Sequence, residues 1–140
     1  MIEPLLEIVV KPSRIVVYLW TSPTSLAGCL LLVPTLCTGG SCRVVDGVLE
    51  AAGGFAAFFL KHCTLLKGGA SAMTLGHIVI ARDELAHDLT RSHERVHVKQ
   101  AERWGPFFLP AYGVASLIAL VKGQRPYLDN YFEKQAYAQQ

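Results

Sequence analysis

Several patterns that would place a chain in a familiar class are missing from these 140 residues. The net charge is only +2, so the basic excess typical of nucleic-acid binding is absent and we expect no nucleic-acid partner. The four cysteines form no CxxC pair, and CTGGSC is too loosely spaced for a zinc knuckle. We therefore expect reduced or inert thiols rather than a bridge between Cys37 and Cys42. With no repeats and no low-complexity linker, the length corresponds to one domain.

Apolar residues, by contrast, are abundant and make up 51% of the chain. Residues 15–42 carry no charge and follow Lys11 and Arg14. This stretch is long enough to cross the ~30 Å hydrocarbon core of a bilayer. It predicts an N-terminal membrane anchor in residues 1–42, ahead of a domain formed by residues 43–140. LAGC, ending at Cys29, resembles a bacterial lipoprotein cleavage box, but the apolar residues after it favour an uncleaved anchor.

A second apolar stretch, residues 104–121, is shorter and is interrupted by Pro106, Pro110 and Gly113. Its length predicts a non-spanning helix that packs on the core or dips into one leaflet. Basic residues recur every four positions just before it, at Arg91, Arg95, Lys99 and Arg103. Such a face is either solvated or lies along anionic lipid headgroups, and the apolar stretch that follows favours membrane lipid as the partner.

The remaining patterns predict an α+β fold. Residues 43–63 read as two short strands broken by Gly53 and Gly54, and residues 72–82 as one further strand. Residues 84–104 contain no glycine or proline and predict a helix, capped by Asp88 or Thr90 and ended by Gly105-Pro106. Two more helices are expected at residues 107–121 and 127–138.

The strongest chemical signal is HERVH, residues 93–97. On a helix, residues four apart lie on one face, so His93 and His97 project together as two zinc ligands. Glu94 lies about 100° further round the helix, beside the metal without ligating it. Zinc lowers the pKa of the water that it binds, and a carboxylate in this place takes the proton as general base. This is the reason for the spacing HExxH.

Two histidines do not complete a tetrahedral zinc site, so a third protein ligand is needed. The candidates are Glu133, His77, His62 and His87. His87 lies a turn and a half before His93 on the same helix and is poorly placed. Glu133 is preferred because it lies on a later helix with the small Ala136 one turn on, which lets two helix backbones approach closely.

HExxH followed by a glutamate helix with an ExxA pattern resembles the gluzincin branch of the zincin metallopeptidases. In that branch the strand before the motif helix holds an extended peptide, and TLGHIVIAR, residues 74–82, stands in its place. Residues 74–137 further resemble small, uncharacterised, membrane-associated bacterial proteins with a zincin-like core. The resemblance implies a short antiparallel meander with an active-site helix and a glutamate helix, located at a bacterial inner or internal membrane. It also implies Zn²⁺ ligands at His93, His97 and Glu133, and Glu94 as general base.

One position departs from the branch. Many gluzincins carry an aspartate four residues after the ligand glutamate, where it orients a ligand histidine, and here that position holds Tyr137. Support for the ligands must then come from elsewhere, with Asp129 and Asn130 as candidates. The group that stabilises the oxyanion is not assigned by the pattern; the candidates are Tyr112, Tyr127, Tyr131 and His77.

The metal prediction constrains the membrane prediction. If residues 104–121 crossed the bilayer, Glu133 would lie on the opposite side from His93 and His97 and could not bind the same ion. We therefore expect this stretch to remain on one side of the membrane.

The sequence predicts a membrane-associated zinc-dependent hydrolase, a metallopeptidase in which Glu94 activates water, acting on a peptide or protein. The alternative is a non-catalytic, membrane-anchored structural or assembly subunit that uses a zincin-like scaffold to hold a protein partner.

Overall fold

The computed structural model describes residues 3–64 and 66–140, with the side chains of residues 14–64 and 66–140. Helices and strands alternate irregularly along the chain, and the mixed α+β class predicted from the sequence is confirmed. In chain order the elements are α1 (Glu3–Cys37), β1 (Ser41–Val45), β2 (Val48–Ala52), α2 (Gly54–His62), β3 (Ala72–Leu75), β4 (Ile78–Ala81), α3 (Glu84–Trp104), a 3₁₀ turn (Gly105–Phe107), α4 (Phe108–Val121) and α5 (Tyr131–Gln139).

The four strands form one sheet in the order β1-β2-β4-β3, so β3 lies at an edge. The pairs β1/β2 and β3/β4 are antiparallel hairpins, whereas β2 and β4 run parallel. The expected antiparallel meander is therefore wrong, because α2 connects the two hairpins and brings β4 alongside β2 in the same direction. The single strand predicted for residues 72–82 is wrong, because Gly76 adopts a positive φ of 67° and turns the chain back on itself.

The second strand predicted within residues 43–63 is also wrong, since this segment contains α2. Its two fully buried residues, Ala56 and Leu60, are four apart, which is the spacing of one helix face. Gly53 and Gly54 do interrupt the chain as predicted, but they end β2 and begin a helix. Short apolar runs do not distinguish a strand from a helix by periodicity alone.

Alternating side chains of the sheet face two different layers of helices. Ala51, Ile78 and Ile80 point to one side, where they form a core with α2 and with Leu31 and Leu32 of α1. Val48 and Val79 point to the other side and pack against Val98 of α3. The period of two along a strand thereby places every second residue of β2, β3 and β4 against the helix that carries HERVH.

The helix α1 docks along the rest of the domain over most of its apolar length. Tyr18 donates its hydroxyl to the Gly47 carbonyl at 2.7 Å, and Thr24 donates to the Gly105 carbonyl at 2.9 Å. Further along, Gly28 approaches β4 so closely that a Cβ there would lie 2.8 Å from Cβ of Ile78. The predicted division after residue 42 falls inside β1. Large apolar residues on the outer side of α1 remain uncovered: Ile15, Val16, Leu19, Leu26, Leu30 and Val33.

Two helical stretches, Arg14–Cys37 and Glu84–Val121, are long and apolar enough to cross a membrane by length and composition. A core helix or a signal sequence passes the same test. Only 17% of each apolar window is buried, however, which is low for a core helix. The apolar part of the second stretch is α4, whose 14 residues extend about 21 Å.

The helix α3 carries the motif and has clear signals at both ends. Asp83, rather than Asp88 or Thr90, caps it by accepting a hydrogen bond from Ala86 N at 2.7 Å. Gly105 ends it with a φ of 55°, as Gly105-Pro106 predicted. After α4 the chain returns, and Phe132 of α5 packs with Ala101 of α3 and Phe108 of α4.

Candidate metal and catalytic site

The structure brings together the three residues that the sequence predicted as ligands. Nε2 of His93 lies 3.0 Å from Oε2 of Glu133, and Nε2 of His97 lies 3.2 Å from Oε1 of the same carboxylate. The two imidazole Nε2 atoms are 3.2 Å apart. All three residues are buried, and one ligand atom of each lies within 4.8 Å of the others. The cluster depends on α5 returning beside α3.

The donor set fits zinc. Two imidazole nitrogens and one carboxylate are the ligand types of catalytic zinc sites with three protein ligands. Ligand atoms about 2.1 Å from a tetrahedral zinc are about 3.4 Å apart, since the edge of a tetrahedron is about 1.6 bond lengths. The separations of 3.0 and 3.2 Å lie close to this edge. Small outward shifts of the side chains would therefore suffice to admit the ion.

The carboxylate of Glu133 is kept ionised by its neighbours. Burial opposes its ionisation, but hydrogen bonds from His93, His97 and Tyr112 prevail and lower its pKa to about 2. Tyr112 donates its hydroxyl to Oε1 of Glu133 at 2.6 Å. Burial alone would lower the pKa of His97, yet the hydrogen bond to Glu133 raises it overall. The ionised carboxylate thus favours positive charge at the cluster, which zinc would supply.

His97 is oriented by a residue of its own helix. Nδ1 of His97 lies 2.8 Å from Oε1 of Gln100, so the amide oxygen accepts the Nδ1 proton, and Nε2 is the ring nitrogen that faces Glu133 and would bind a metal. The amide nitrogen of Gln100 donates to the Phe132 carbonyl at 3.0 Å and to Gln135 at 2.8 Å, which fixes which end of the amide faces the histidine. The i+3 spacing of Gln100 from His97 on α3 is the sequence feature that could have indicated this contact.

The residues predicted to support the ligands lie elsewhere. Asp129 pairs with Arg125 at 3.0 Å, and Asn130 caps α5 by accepting from Phe132 N at 2.8 Å. Asn130 also donates to the Tyr112 carbonyl at 3.0 Å, so it supports Tyr112 rather than a histidine. For His93, the contacts are Oε1 of Gln140, 3.2 Å from Nδ1, and the ring of Tyr137, with 4.5 Å between ring centroids.

Glu94 lies beside the cluster and is held by the edge strand. Thr74 of β3 donates its hydroxyl to Oε2 of Glu94 at 2.6 Å. Glu94 is 5% exposed, and burial, the largest effect, raises its pKa. A raised pKa brings a carboxylate closer to the working pH of a general base. No sequence pattern indicated Thr74, because the contact joins residues 20 positions apart.

The other candidates for the third ligand have different partners. His77 lies 2.8 Å from Glu102, and His87 lies 2.8 Å from the carbonyl of Ala51. His62 is exposed at the end of α2, with its ring against Phe58. Among the oxyanion candidates, Tyr112 already donates to Glu133, Tyr131 is exposed, and Tyr127 lines the cleft described below.

A second buried carboxylate, Glu50 of β2, lies against the same helix. It is 2% exposed, and Arg91 binds it through two nitrogens at 2.9 Å each. Arg95 adds a contact at 3.1 Å. Arg91 and Arg95 thus bind a buried carboxylate, so the four basic residues of the repeat do not form one continuous face toward lipid. The sequence did not indicate this cluster, because Glu50 gains its partners only when β2 packs on α3.

A cleft of about 310 Å³ opens beside the metal cluster. It lies between β3, α4 and the segment that joins α4 to α5, and Glu94, His97 and Glu133 all contribute to its wall. The volume is at the lower end of the range for ligand pockets. A reacting group bound in the cleft would lie next to the candidate base and the candidate ligands.

No family model, curated protein or solved structure matches this chain.

Proposed function

We propose that the protein is a membrane-associated, zinc-dependent hydrolase of the metallopeptidase type, built on a minimal zincin-like core. The observation that carries the proposal is the convergence of His93, His97 and Glu133 beside Glu94 at the wall of a cleft. A site that only stabilised the fold would need the ligands but no general base. A buried glutamate held at the edge of a cleft favours catalysis over a purely structural role.

In this mechanism His93, His97 and Glu133 would hold zinc. The ion, when bound, would supply a Lewis acid that polarises the scissile carbonyl and makes water more acidic. Glu94 accepts a proton from the attacking water and passes it to the leaving amine. Overall, the hydroxyl of one water goes to the acyl carbon and its proton to the amine nitrogen as the amide bond breaks.

Neighbouring residues keep the reacting side chains in place. Thr74 holds one oxygen of Glu94 and leaves the other for proton transfer. Gln100 fixes the tautomer of His97, and Tyr112 holds the carboxylate of Glu133. Tyr127 lines the cleft with a neutral hydroxyl, because burial raises its pKa, and it is the best placed of the four candidates for donating to the oxyanion.

The replacement Glu94→Gln tests the catalytic proposal. The variant should keep the zinc content of the wild type but lose hydrolysis of a fluorogenic peptide, since glutamine keeps the shape but cannot accept the proton. Glu84→Gln, the same change at an exposed position of α3, is the matched control. Metal content of the detergent-purified proteins, measured by mass spectrometry, separates loss of the ion from loss of the base.

Two results would contradict the proposal. Hydrolysis that survives in Glu94→Gln would exclude Glu94 as the base. A wild-type protein that takes up no zinc when supplied with it, and that behaves like His97→Ala, would exclude the metal site. The alternative of an assembly subunit, with its zincin-like scaffold holding a protein partner, would then be preferred.

Membrane association is supported by the uncovered apolar sides of α1 and α4. Because Glu133 returns to His93 after α4, the two ends of α4 need not lie on opposite sides of a bilayer, and α4 is shorter than the ~30 Å core. We propose that both outer faces enter lipid beside the domain. Leu30→Lys together with Leu117→Lys should reduce flotation with anionic liposomes, whereas Val44→Lys, an equally exposed change on β1, should not.

A further inference from the structure

The cleft beside Glu94 has an uncharged lining outside the candidate site itself. Its ionised or metal-binding side chains are Glu94, His97 and Glu133, and the others are apolar or neutral. The apolar contribution comes from four parts of the chain that converge on the cleft: Leu66, Met73, Leu75, Phe108, Leu109 and Pro126. A charged group entering this space would lose its hydration without finding a counter-charge other than the site.

One wall of the cleft is the backbone of the edge strand. Leu49 N donates to the His77 carbonyl at 2.9 Å and Gly53 N to the Ala81 carbonyl at 3.3 Å, so these carbonyls at the two ends of β4 face β2. Ile78 and Ile80 then pair with β3, opposite Leu75 and Met73. Because hydrogen-bonding direction alternates along an antiparallel pair, the peptide groups of Ala72 and Thr74 point away from β4, toward the free edge.

The opposite wall is one face of α4. Leu109, Tyr112 and Ser116 line the cleft at the spacing i, i+3 and i+7. The other side of this helix carries a set of large, uncovered apolar residues: Val114, Leu117, Ile118, Leu120 and Val121. The wall of the cleft is thus the inner face of a helix whose outer face is apolar enough to contact lipid.

We propose that the cleft binds an extended, apolar peptide segment of the kind found within or next to a membrane. Its backbone pairs with Ala72 and Thr74, as the resemblance to the gluzincin branch implies for this strand. The new element is the selectivity: uncharged side chains of the peptide enter the space between β3 and α4. The inference rests on the proposed hydrolase and names its substrate class. The peptide groups of Ala72 and Thr74 that point away from β4 favour a peptide over an acyl chain, because only a peptide supplies donors and acceptors along the strand.

The test uses binding, so that it does not depend on turnover. Two fluorescent decapeptides, identical except for leucine or lysine at two central positions, are titrated into zinc-loaded Glu94→Gln protein in one neutral detergent. We expect the leucine peptide to bind at least ~10-fold more tightly, because lysine would bring a charge into an uncharged cleft. N-methylation removes a backbone donor. Methylating the alternate central amides that face β3 should weaken binding of the leucine peptide, whereas methylating the amides between them should not.

Two matched substitutions on α4 test whether the leucine peptide binds at the cleft face of this helix. Leu109→Lys, on the cleft face, should weaken binding of the leucine peptide, whereas Leu117→Lys, on the outer face of the same helix, should not. Zinc content should be equal in both. The comparison of the two peptides on the unaltered cleft needs neither variant and decides the question even if Leu109→Lys fails to fold.

Equal binding of the two peptides would overturn the inference. So would equal binding of N-methylated and unmodified peptides together with displacement by lauric acid, which would indicate an acyl-chain site. Selective binding of the leucine peptide without cleavage by the wild type would support the apolar cleft while refuting the hydrolase. Cleavage of both peptides at equal rates would support the hydrolase while refuting the apolar selectivity.

Discussion

The helix α3 places a buried carboxylate on each of two sides, and the two are stabilised by different partners. Glu50 and Glu133 are each 2% exposed, and each has its pKa lowered to about 2. For Glu50 the main cause is the hydrogen bond from Arg91, with Arg95 adding to it. For Glu133 the favourable contacts come from His93, His97 and Tyr112.

The difference between arginine and histidine decides what each cluster can do. A guanidinium is always charged and has only donors, so the arginines around Glu50 balance its charge but supply no ligand atom to a metal. A neutral imidazole retains a lone pair on one ring nitrogen, so the cluster around Glu133 binds either a proton or a metal ion. Burial of a carboxylate by itself therefore does not indicate a metal site; the chemistry of its partners does.

The largest expected effect separates the two carboxylates by metal affinity. Glu133→Ala should lower zinc affinity by more than roughly 100-fold, since loss of an outer partner of a metal ligand alone costs roughly 10- to 100-fold. Glu50→Gln should leave zinc affinity unchanged. Competition with a chromophoric chelator measures both. Unchanged zinc affinity in Glu133→Ala would show that Glu133 is not a ligand, and the two clusters would then not differ in metal binding.

The stability of the metal-free protein should depend on Glu50. Glu50→Gln leaves Arg91 and Arg95 without their buried counter-charge, and we expect the free energy of unfolding to fall by about 3 kcal/mol. A shift of the pKa from 4.5 to about 2 corresponds to a similar value. Urea unfolding of metal-free proteins measures the change. A stable Glu50→Gln protein with weakened zinc binding would contradict the comparison.

The pH dependence of stability tests whether the ionised carboxylate of Glu50 stabilises the fold. The folded pKa of Glu50 lies below its ordinary value of 4.5, so its contribution is complete above about pH 4.5 and is lost as the pH falls toward 2. The melting temperatures of wild type and Glu50→Gln should therefore converge between pH 4.5 and 2. Glu133 titrates in the same window in both metal-free proteins, so its effect cancels. A constant difference across this window would exclude Glu50 as the titrating group.

A smaller effect is expected at Gln100. Gln100→Leu removes the acceptor that fixes the tautomer of His97 and should lower zinc affinity roughly 10- to 100-fold. Gln100→Glu keeps an acceptor and should recover part of the loss. Gln135→Leu removes only the outer amide contact and is the control. Equal losses in Gln100→Leu and Gln135→Leu would indicate a general packing defect.

The smallest effect is expected at Asp129. Its carboxylate binds Arg125 on the surface, and Asp129→Asn should leave zinc affinity unchanged. The sequence had suggested Asp129 as support for a ligand, so calorimetric titration with zinc tests that suggestion directly. A tenfold loss of zinc affinity would show that Asp129 does support a metal ligand.

The sequence predicted the elements that are governed by local signals. The range of α3 is confirmed, because residues 84–104 lack glycine and proline and Gly105-Pro106 follows them. Its cap was wrong by several residues, since Asp83, Asp88 and Thr90 are all suitable side chains. The prediction for the segment around α2 was wrong because short apolar runs fit a strand or a helix. The β3/β4 hairpin was read as one strand because the turn at Gly76 was not recognised.

What the sequence determined by itself was the pair His93 and His97 with Glu94 beside them, because helix geometry fixes residues one and four apart. It also indicated Glu133, through a helix with a small residue one turn on. The tertiary structure alone decided the rest: the contact of Thr74 with Glu94, the pairing of Glu50 with Arg91, and the cleft between β3 and α4. These contacts join positions 20 or more residues apart, and their distances depend on how the sheet and helices pack, which no local pattern encodes.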